Sequence, residues 1–258
     1  MKKRILFTSC ISLFFLMGCT ELQQVATQVG TQVLTGAIGI SNTENASGLK
    51  EALSVGITSS VTALSKQNGY YSNPLLKILL PEEAQGIVNN IKMIPGGQDM
   101  VNEVIVRLNR AAEDAAKEAG PIFLKSITSM SISDATGILF GNNDAATQYL
   151  KRTTYSQLTS AFAPKINASL DKKLVGNIST NQSWSTLTSA YNSVANSLIG
   201  KTANLTPVNA NLGEYVTQKA LDGLFSNLAG EEQKIRQNPA ARSTDLLKKV
   251  FGQLDTKK

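Results

Sequence analysis

The sequence predicts an all-α protein, a compact bundle of about eight to ten helices of ordinary length, preceded by a signal peptide and an N-terminal tether helix. Three observations carry this prediction. Apolar residues recur three and four positions apart along most of the chain, the spacing of one helical face. No stretch alternates apolar and polar residues as a half-buried strand would, and neither a hairpin signature nor a regular repeat is present. Proline and glycine interrupt the helical stretches at short intervals, which predicts short connections and one body.

Taken in order, Leu22, Val25, Val29 and Val33 mark an amphipathic tether helix over residues 22–39, weakened by Gly30, Gly36 and Gly39. Ile40–Ser47 is small and polar and reads as a linker. From Gly48, the positions Leu49, Leu53, Ile57, Val61 and Leu64 share one face. Asn68-Gly69 ends that helix and Asn73-Pro74 makes a turn. Pro81-Glu82-Glu83 opens the next, since proline fits a first turn and carboxylates suit the positive N-terminal end. It runs to Pro95-Gly96-Gly97.

Gln98–Ala119 is the clearest helix. Val101, Val104, Ile105, Leu108, Ala112, Ala115 and Ala119 fall on one face at about 100° per residue. Glu103, Arg107, Arg110, Glu113, Asp114 and Lys117 fall opposite, which predicts a solvated face with Glu103–Arg107 and Arg110–Asp114 pairs. Gly120-Pro121 stops this helix. Ser133 or Asp134 caps a short one ending at Gly141. Asn143 caps another from Asp144 to about Ser160, and Pro164 kinks or separates the continuation to Leu174. Trp184, Leu187, Tyr191, Val194 and Leu198 form a further apolar stripe. Asn211–Gln237 is a long helix with Leu221, Leu224, Phe225 and Leu228 inward, and Asn238-Pro239 restarts a last helix ending near Gly252.

The N-terminus carries an address. Met1-Lys2-Lys3-Arg4 is cationic, Ile5–Phe15 is uncharged, and Leu16-Met17-Gly18-Cys19 follows. A basic start, a short apolar core and small residues before a cleavage point are the parts of a secretory signal. The apolar run falls short of the roughly 20 residues needed to span a bilayer. Cysteine directly after Leu-Met-Gly matches the bacterial lipobox, so Cys19 is the expected lipidation site and residues 1–18 the signal peptide. The reaction needs sulfur as the nucleophile that accepts the lipid, and two or more acyl chains hold a protein stably on a membrane. Thr20 rather than Asp follows Cys19, which by the enterobacterial sorting rule favours the outer membrane, with the body facing the periplasm. The expected organisation is a signal peptide to residue 18, a lipidated stalk and linker over 19–47, a helical domain over 48–252 and a tail over 253–258.

Composition narrows the chemistry. The formal charge is +6, and it falls to +3 once Lys2, Lys3 and Arg4 leave with the signal. That balance, with no dense Lys/Arg run, argues against nucleic acid as a partner. Of the two cysteines, Cys10 leaves with the signal and Cys19 takes lipid, so no internal disulfide is expected. The chain has no histidine. This removes Ser-His-Asp and Cys-His catalysis and His-ligated metal sites, and neither a cofactor nor a metal is expected. Gly96-Gly97 and Gly141-Asn142-Asn143 lack the strand–loop–helix setting of a phosphate loop and read as helix ends. Asn142-Asn143-Asp144 lacks the ligand spacing of a calcium loop and reads as a cap.

The best polar stripe is Tyr215, Lys219, Asp222 and Ser226, spaced four, three and four apart opposite Leu221, Leu224 and Leu228. Solvent exposure is the ordinary reading of such a face. The alternative is that Tyr215, Lys219 and Asp222 meet Arg110 or Glu113 in an interhelical polar groove used for binding. These five residues form the candidate groove.

Several strings carry a resemblance. They are Gly48-Leu49-Lys50-Glu51-Ala52-Leu53, Asn109-Arg110-Ala111-Ala112-Glu113, and Asp134-Ala135 followed by Ile138-Leu139-Phe140-Gly141 and Ala145-Ala146-Thr147-Gln148-Tyr149. The run from Tyr215 to Phe225, the pairs Glu231-Glu232 and Ile235-Arg236, then Asn238-Pro239-Ala240-Ala241-Arg242 and Lys248-Lys249-Val250-Phe251-Gly252, complete the set. Over about residues 48–252 the chain resembles domain-of-unknown-function family 4197, exported bacterial proteins that often carry lipoprotein signals. The resemblance implies a single helical domain and brings no catalytic residues with it. The expectation is a non-enzymatic envelope lipoprotein that binds a partner protein or maintains envelope structure. A carrier of an apolar ligand and a histidine-free enzyme are the alternatives.

Overall fold

The computed structural model describes residues 40–92, 96–172, 179–209 and 211–255. The signal segment, Cys19 and the tether helix expected over 22–39 lie outside the described residues. Ten α-helices and two short 3₁₀ turns (Glu82–Ala84 and Pro239–Ala241) make up the regular structure among them, with no β-strand. The helices are α1 (Asn42–Leu64), α2 (Gln85–Lys92), α3 (Gly97–Ala116), α4 (Ala119–Thr128), α5 (Ile132–Leu139), α6 (Ala145–Leu170), α7 (Thr180–Ala195), α8 (Leu198–Thr202), α9 (Leu212–Gln237) and α10 (Asp245–Asp255). The fold class is the predicted one, all-α and bundled.

At the centre is α6. Ala146, Leu150, Leu158, Phe162, Ile166 and Leu170 are buried along one side, with Thr154 completing the four-residue step. It packs mainly against α9 and α3. From α3 come Leu108, Ala111, Ala112, Ala115 and Ala116, all fully buried. The run of alanines lets two helix backbones come close, as their spacing in the sequence implies. From α9 come Val216, Ala220, Leu221, Leu224, Phe225 and Leu228. Phe225 meets Phe123 of α4 edge-on at 5.8 Å and stacks on Tyr155 at 6.2 Å. Every buried apolar residue described lies between Ala46 and Phe251, so the unit beginning at Asn42 carries its own core.

Several boundaries differ from the sequence reading, each for a local reason. Ile40–Ser47 is not a linker: α1 begins at Asn42, and Asn45 and Ala46 are already buried. Gln253–Asp255, expected in the tail, complete α10. Gly120-Pro121 does not end a structure but sits in the first turn of α4, where proline's missing N–H costs nothing. Pro164 does not separate a segment, for α6 runs through it to Leu170. Pro164 and Ser160, whose carbonyl it leaves without a helical donor, are both exposed. The cap of α5 is Ser131, not Ser133: its hydroxyl accepts from the Asp134 N–H while Asp134 reaches back, a capping box. On α7, Trp184 and Thr188 are buried and Leu187 and Tyr191 half-buried, but Val194 and the α8 residue Leu198 turn outward.

Candidate functional site

The polar stripe of α9 forms one wall of a groove of about 710 Å³. Tyr215, Lys219, Asp222 and Ser226 line it, and the segment from Leu75 to Leu80 with Glu82 and Gln85 faces them. Lys219, Asp222 and Ser226 are exposed, and Tyr215 is half-buried. The Tyr215 hydroxyl donates to the Leu79 carbonyl at 3.0 Å, joining the two walls. The Lys219 ammonium sits 5.9 Å from the Tyr215 ring centre. Two leucines of the facing wall project into water, Leu75 at 91% exposure and Leu79 at 54%. The groove thus combines apolar side chains with charges of both signs, Lys77 and Lys219 against Glu82 and Asp222.

That facing wall has no helix of its own over Lys77–Pro81, and α3 fixes it. Asn109 is fully buried. Its side-chain carbonyl accepts from the Ile78 N–H at 2.9 Å, and its amide donates to the Ile78 carbonyl at 2.8 Å. One amide side chain thereby satisfies both backbone groups of Ile78, as a neighbouring strand would. One turn further, the buried Glu113 carboxylate accepts from the Tyr70 and Tyr71 N–H groups at 3.2 and 3.3 Å. Arg110 pairs with Glu113 and donates to Asn68 at 2.7 Å.

Arg110 and Glu113 therefore do not line the groove with Tyr215, Lys219 and Asp222. They anchor the base of the segment that forms its other wall. Glu113 is buried rather than on a solvated face, and it takes the place of Asp114 as partner of Arg110. Asp114 pairs with Lys117 instead, while Glu103–Arg107 bridges at 2.8 Å as the spacing predicts.

Between these layers lies Tyr70, fully buried, its hydroxyl donating to the Ala220 carbonyl at 2.8 Å. Burial holds its phenol well above the ordinary tyrosine range, and the nearby Glu113 charge adds to the effect. Gly223 makes room for the ring: a Cβ there would come within 2.8 Å of it.

A second polar cluster escaped the sequence reading. Glu232 and Arg236 of α9 are buried and bridge at 2.9 Å. The Glu232 carboxylate accepts from the Ala146 and Thr147 N–H groups at 3.0 and 2.8 Å and from the Thr147 hydroxyl at 2.9 Å. It supplies the anion at the α6 N-terminus, where the cap position Asp144 makes no side-chain cap bond. Arg236 donates to the Leu139 and Ile138 carbonyls at 2.9 and 2.8 Å, satisfying the last turn of α5. Arg242 continues the cluster with a bidentate pair to Asp255 and a bond to the Arg236 carbonyl. The signal was present in the spacing: Glu232 and Arg236 extend the buried stripe of Leu221, Phe225 and Leu228, where a charge must find partners.

Beside this cluster, Leu49, Ile57, Leu150 and Phe251 are among the residues lining a partly open apolar pocket of about 30 Å³, room for a water molecule or two. Among the described residues, no group of three His, Cys, Asp or Glu side chains converges to hold a metal ion, and no helix is long and apolar enough to cross a membrane.

Fold and groove together define an all-α bundle with a surface cleft walled by one helix and one braced extended segment. Residues 39–252 match the family described as "Protein of unknown function (DUF4197)". The chain belongs to that family, and the match begins nine residues before the expected domain start at Gly48. No curated protein and no solved structure matches the chain.

Proposed function

We propose that this is a lipid-anchored protein of the bacterial envelope, held by Cys19 on the periplasmic side of the outer membrane, with a non-enzymatic binding role. Its partner is an extended segment of another envelope protein lying in the groove between α9 and residues 75–85. The observation that carries this reading is the groove itself. It has an extended wall over residues 75–80, Leu75 and Leu79 exposed as apolar anchors, and charges of both signs among its lining residues. Exposed apolar side chains rimmed by polar ones are the usual make-up of a protein-binding surface. The carrier alternative gains nothing from the 30 Å³ apolar pocket, which is far too small for an acyl chain. Arg110 or Glu113 beside Tyr215, Lys219 and Asp222 would support the enzyme alternative, and those two groups serve the loop instead.

Two measurements test the reading. Wild type incorporates a clickable fatty acid in cells and Cys19→Ala loses it; equal labelling of both ends the anchor assignment. A photo-crosslinking residue at Leu79 captures one discrete envelope protein, and the pair Lys219→Glu/Asp222→Lys abolishes the capture while urea stability shifts by less than about 0.5 kcal/mol, as for other exposed sites. Capture unchanged by that reversal, or equal capture from a distant exposed site such as Lys125, overturns the groove as the binding surface.

A further inference from the structure

The α7–α8 corner carries an apolar knuckle that the groove does not use. Leu198 and Ile199, the first two residues of α8, are 83% and 79% exposed, with Val194 before them and Leu205 after them also exposed. Scattered exposed aliphatics are ordinary, but four within twelve residues are not. Two adjacent side chains so open to water must stand on a projecting point, not in a groove or on a flat face.

The knuckle is built to hold its shape. Ser197 caps α8 through the Gly200 N–H. Gly200 is buried against the α7 end, where a Cβ would fall within 2.2 Å of the Val194 carbonyl. Leu205 N–H closes the turn on the Gly200 carbonyl at 2.9 Å. The returning chain is pinned to α7 by Asn192, which bonds both backbone groups of Val208, and by the Trp184 indole on the Asn209 carbonyl.

Charge identifies the partner. Between Leu174 and Glu214 the sequence holds a single charged residue, Lys201, amid Ser, Thr and Asn. Lys201 is exposed beside the two aliphatics. A region free of acid, with projecting aliphatic side chains, hydroxyls and amides around them and one cation, complements the interface of a bilayer containing anionic lipid. Thr20–Ser41, the 22 residues between Cys19 and α1, have a contour of at most about 80 Å, so tethering at Cys19 keeps the start of α1 within that distance of the membrane.

We propose that the α7–α8 knuckle is a membrane-contact point: Leu198 and Ile199 enter the interfacial layer of the bilayer while Lys201 meets its anionic headgroups. The inference rests on the membrane-tethered reading above, and its test supplies the tether independently. A chain beginning at Thr20 retains the whole core and has no cysteine and no histidine. An N-terminal hexahistidine captures it on nickel-chelating lipid in vesicles of phosphatidylethanolamine and phosphatidylglycerol, whether or not Cys19 is lipidated in cells. Leu198→Cys then takes an environment-sensitive dye at a unique site, and Leu75→Cys serves as the control, with circular dichroism verifying the fold of each.

On tethering, the dye at 198 brightens severalfold, shifts to the blue and is quenched by lipid carrying a nitroxide in its chain, while the dye at 75 stays aqueous. Adding Ile199→Ser and Lys201→Glu removes most of that change. A dye at 198 that stays aqueous overturns the proposal. Brightening that follows protein density rather than lipid composition also overturns it, by making the knuckle a contact between copies of the chain.

Discussion

Tyr70 concentrates much of what single residues do in this protein. Its N–H answers the Glu113 carboxylate, its ring fills the space that Gly223 leaves, and its hydroxyl reaches a helix carbonyl 150 positions along the chain. The folded protein keeps the phenol neutral, whereas an unfolded chain ionises it near pH 10. The stability that follows is complete below pH 10 and is lost as pH rises beyond it, at about 1.4 kcal/mol per unit for one proton. Tyr70→Phe removes one buried hydrogen bond and costs about 1–2 kcal/mol at pH 8, but it also removes this alkaline loss. Urea melts of the two proteins should therefore converge by about pH 11; parallel curves from pH 8 to 11 would show that Tyr70 does not govern the alkaline limb. None of this was legible beforehand. Tyr70 lies outside every periodic stretch, and its partners come from α3 and α9.

At the level of elements, periodicity exposed which faces turn inward, and punctuation misled about where helices end. The alanine face of α3 and the leucine stripe of α9 are buried as their spacing predicts. Proline removes a donor, so Gly120-Pro121 predicts a stop and Pro164 a kink or a separation, but one sits in a first turn and the other on an exposed face, and neither ends a helix. The groove was half legible. Tyr215, Lys219 and Asp222 share a face by spacing alone, while the opposite wall has no periodicity and is set by Asn109 and Glu113 from another helix. The contact of α9 with that wall depends on Gly223. Gly223→Ala drives a methyl group into the Tyr70 ring and should cost about 1–3 kcal/mol, the usual price of overpacking. In Tyr70→Leu, which vacates the ring's space, the same alanine should cost much less. An equal penalty in both backgrounds, read by thermal melts, would assign it to something other than this contact.

For the whole molecule, the Glu232–Arg236 pair ties the α5–α6 corner to the far part of α9. Glu232→Ala leaves Arg236 buried without its anion and bares the α6 N-terminus, at a cost of about 3–5 kcal/mol. Glu232→Gln keeps an acceptor for Thr147 and should cost less. Hydrogen exchange should speed up at Ala146 and Thr147 in the alanine variant before it does elsewhere. A loss under about 1 kcal/mol, within the range of exposed pairs, would show that the corner holds without the pair. The sequence announced the pair only as two charges on a buried stripe; the helix ends they meet lie 85 to 98 residues earlier in the chain.

That separation has a consequence for the order of events in the cell. A chain is made from its N-terminus forward, so the α5–α6 corner is synthesised with one helix lacking its final acceptors' partner and the next lacking its cap. Both wait for residues 232 and 236, most of a hundred positions later. Helix ends without partners fray, and contacts of long sequence separation form late because a large loop must close first. The α5–α6 corner therefore locks only once residues 232 and 236 have been made. The export proposed for this chain would thread it through a narrow pore before it folds, and such a latch serves that order because its closing half arrives last.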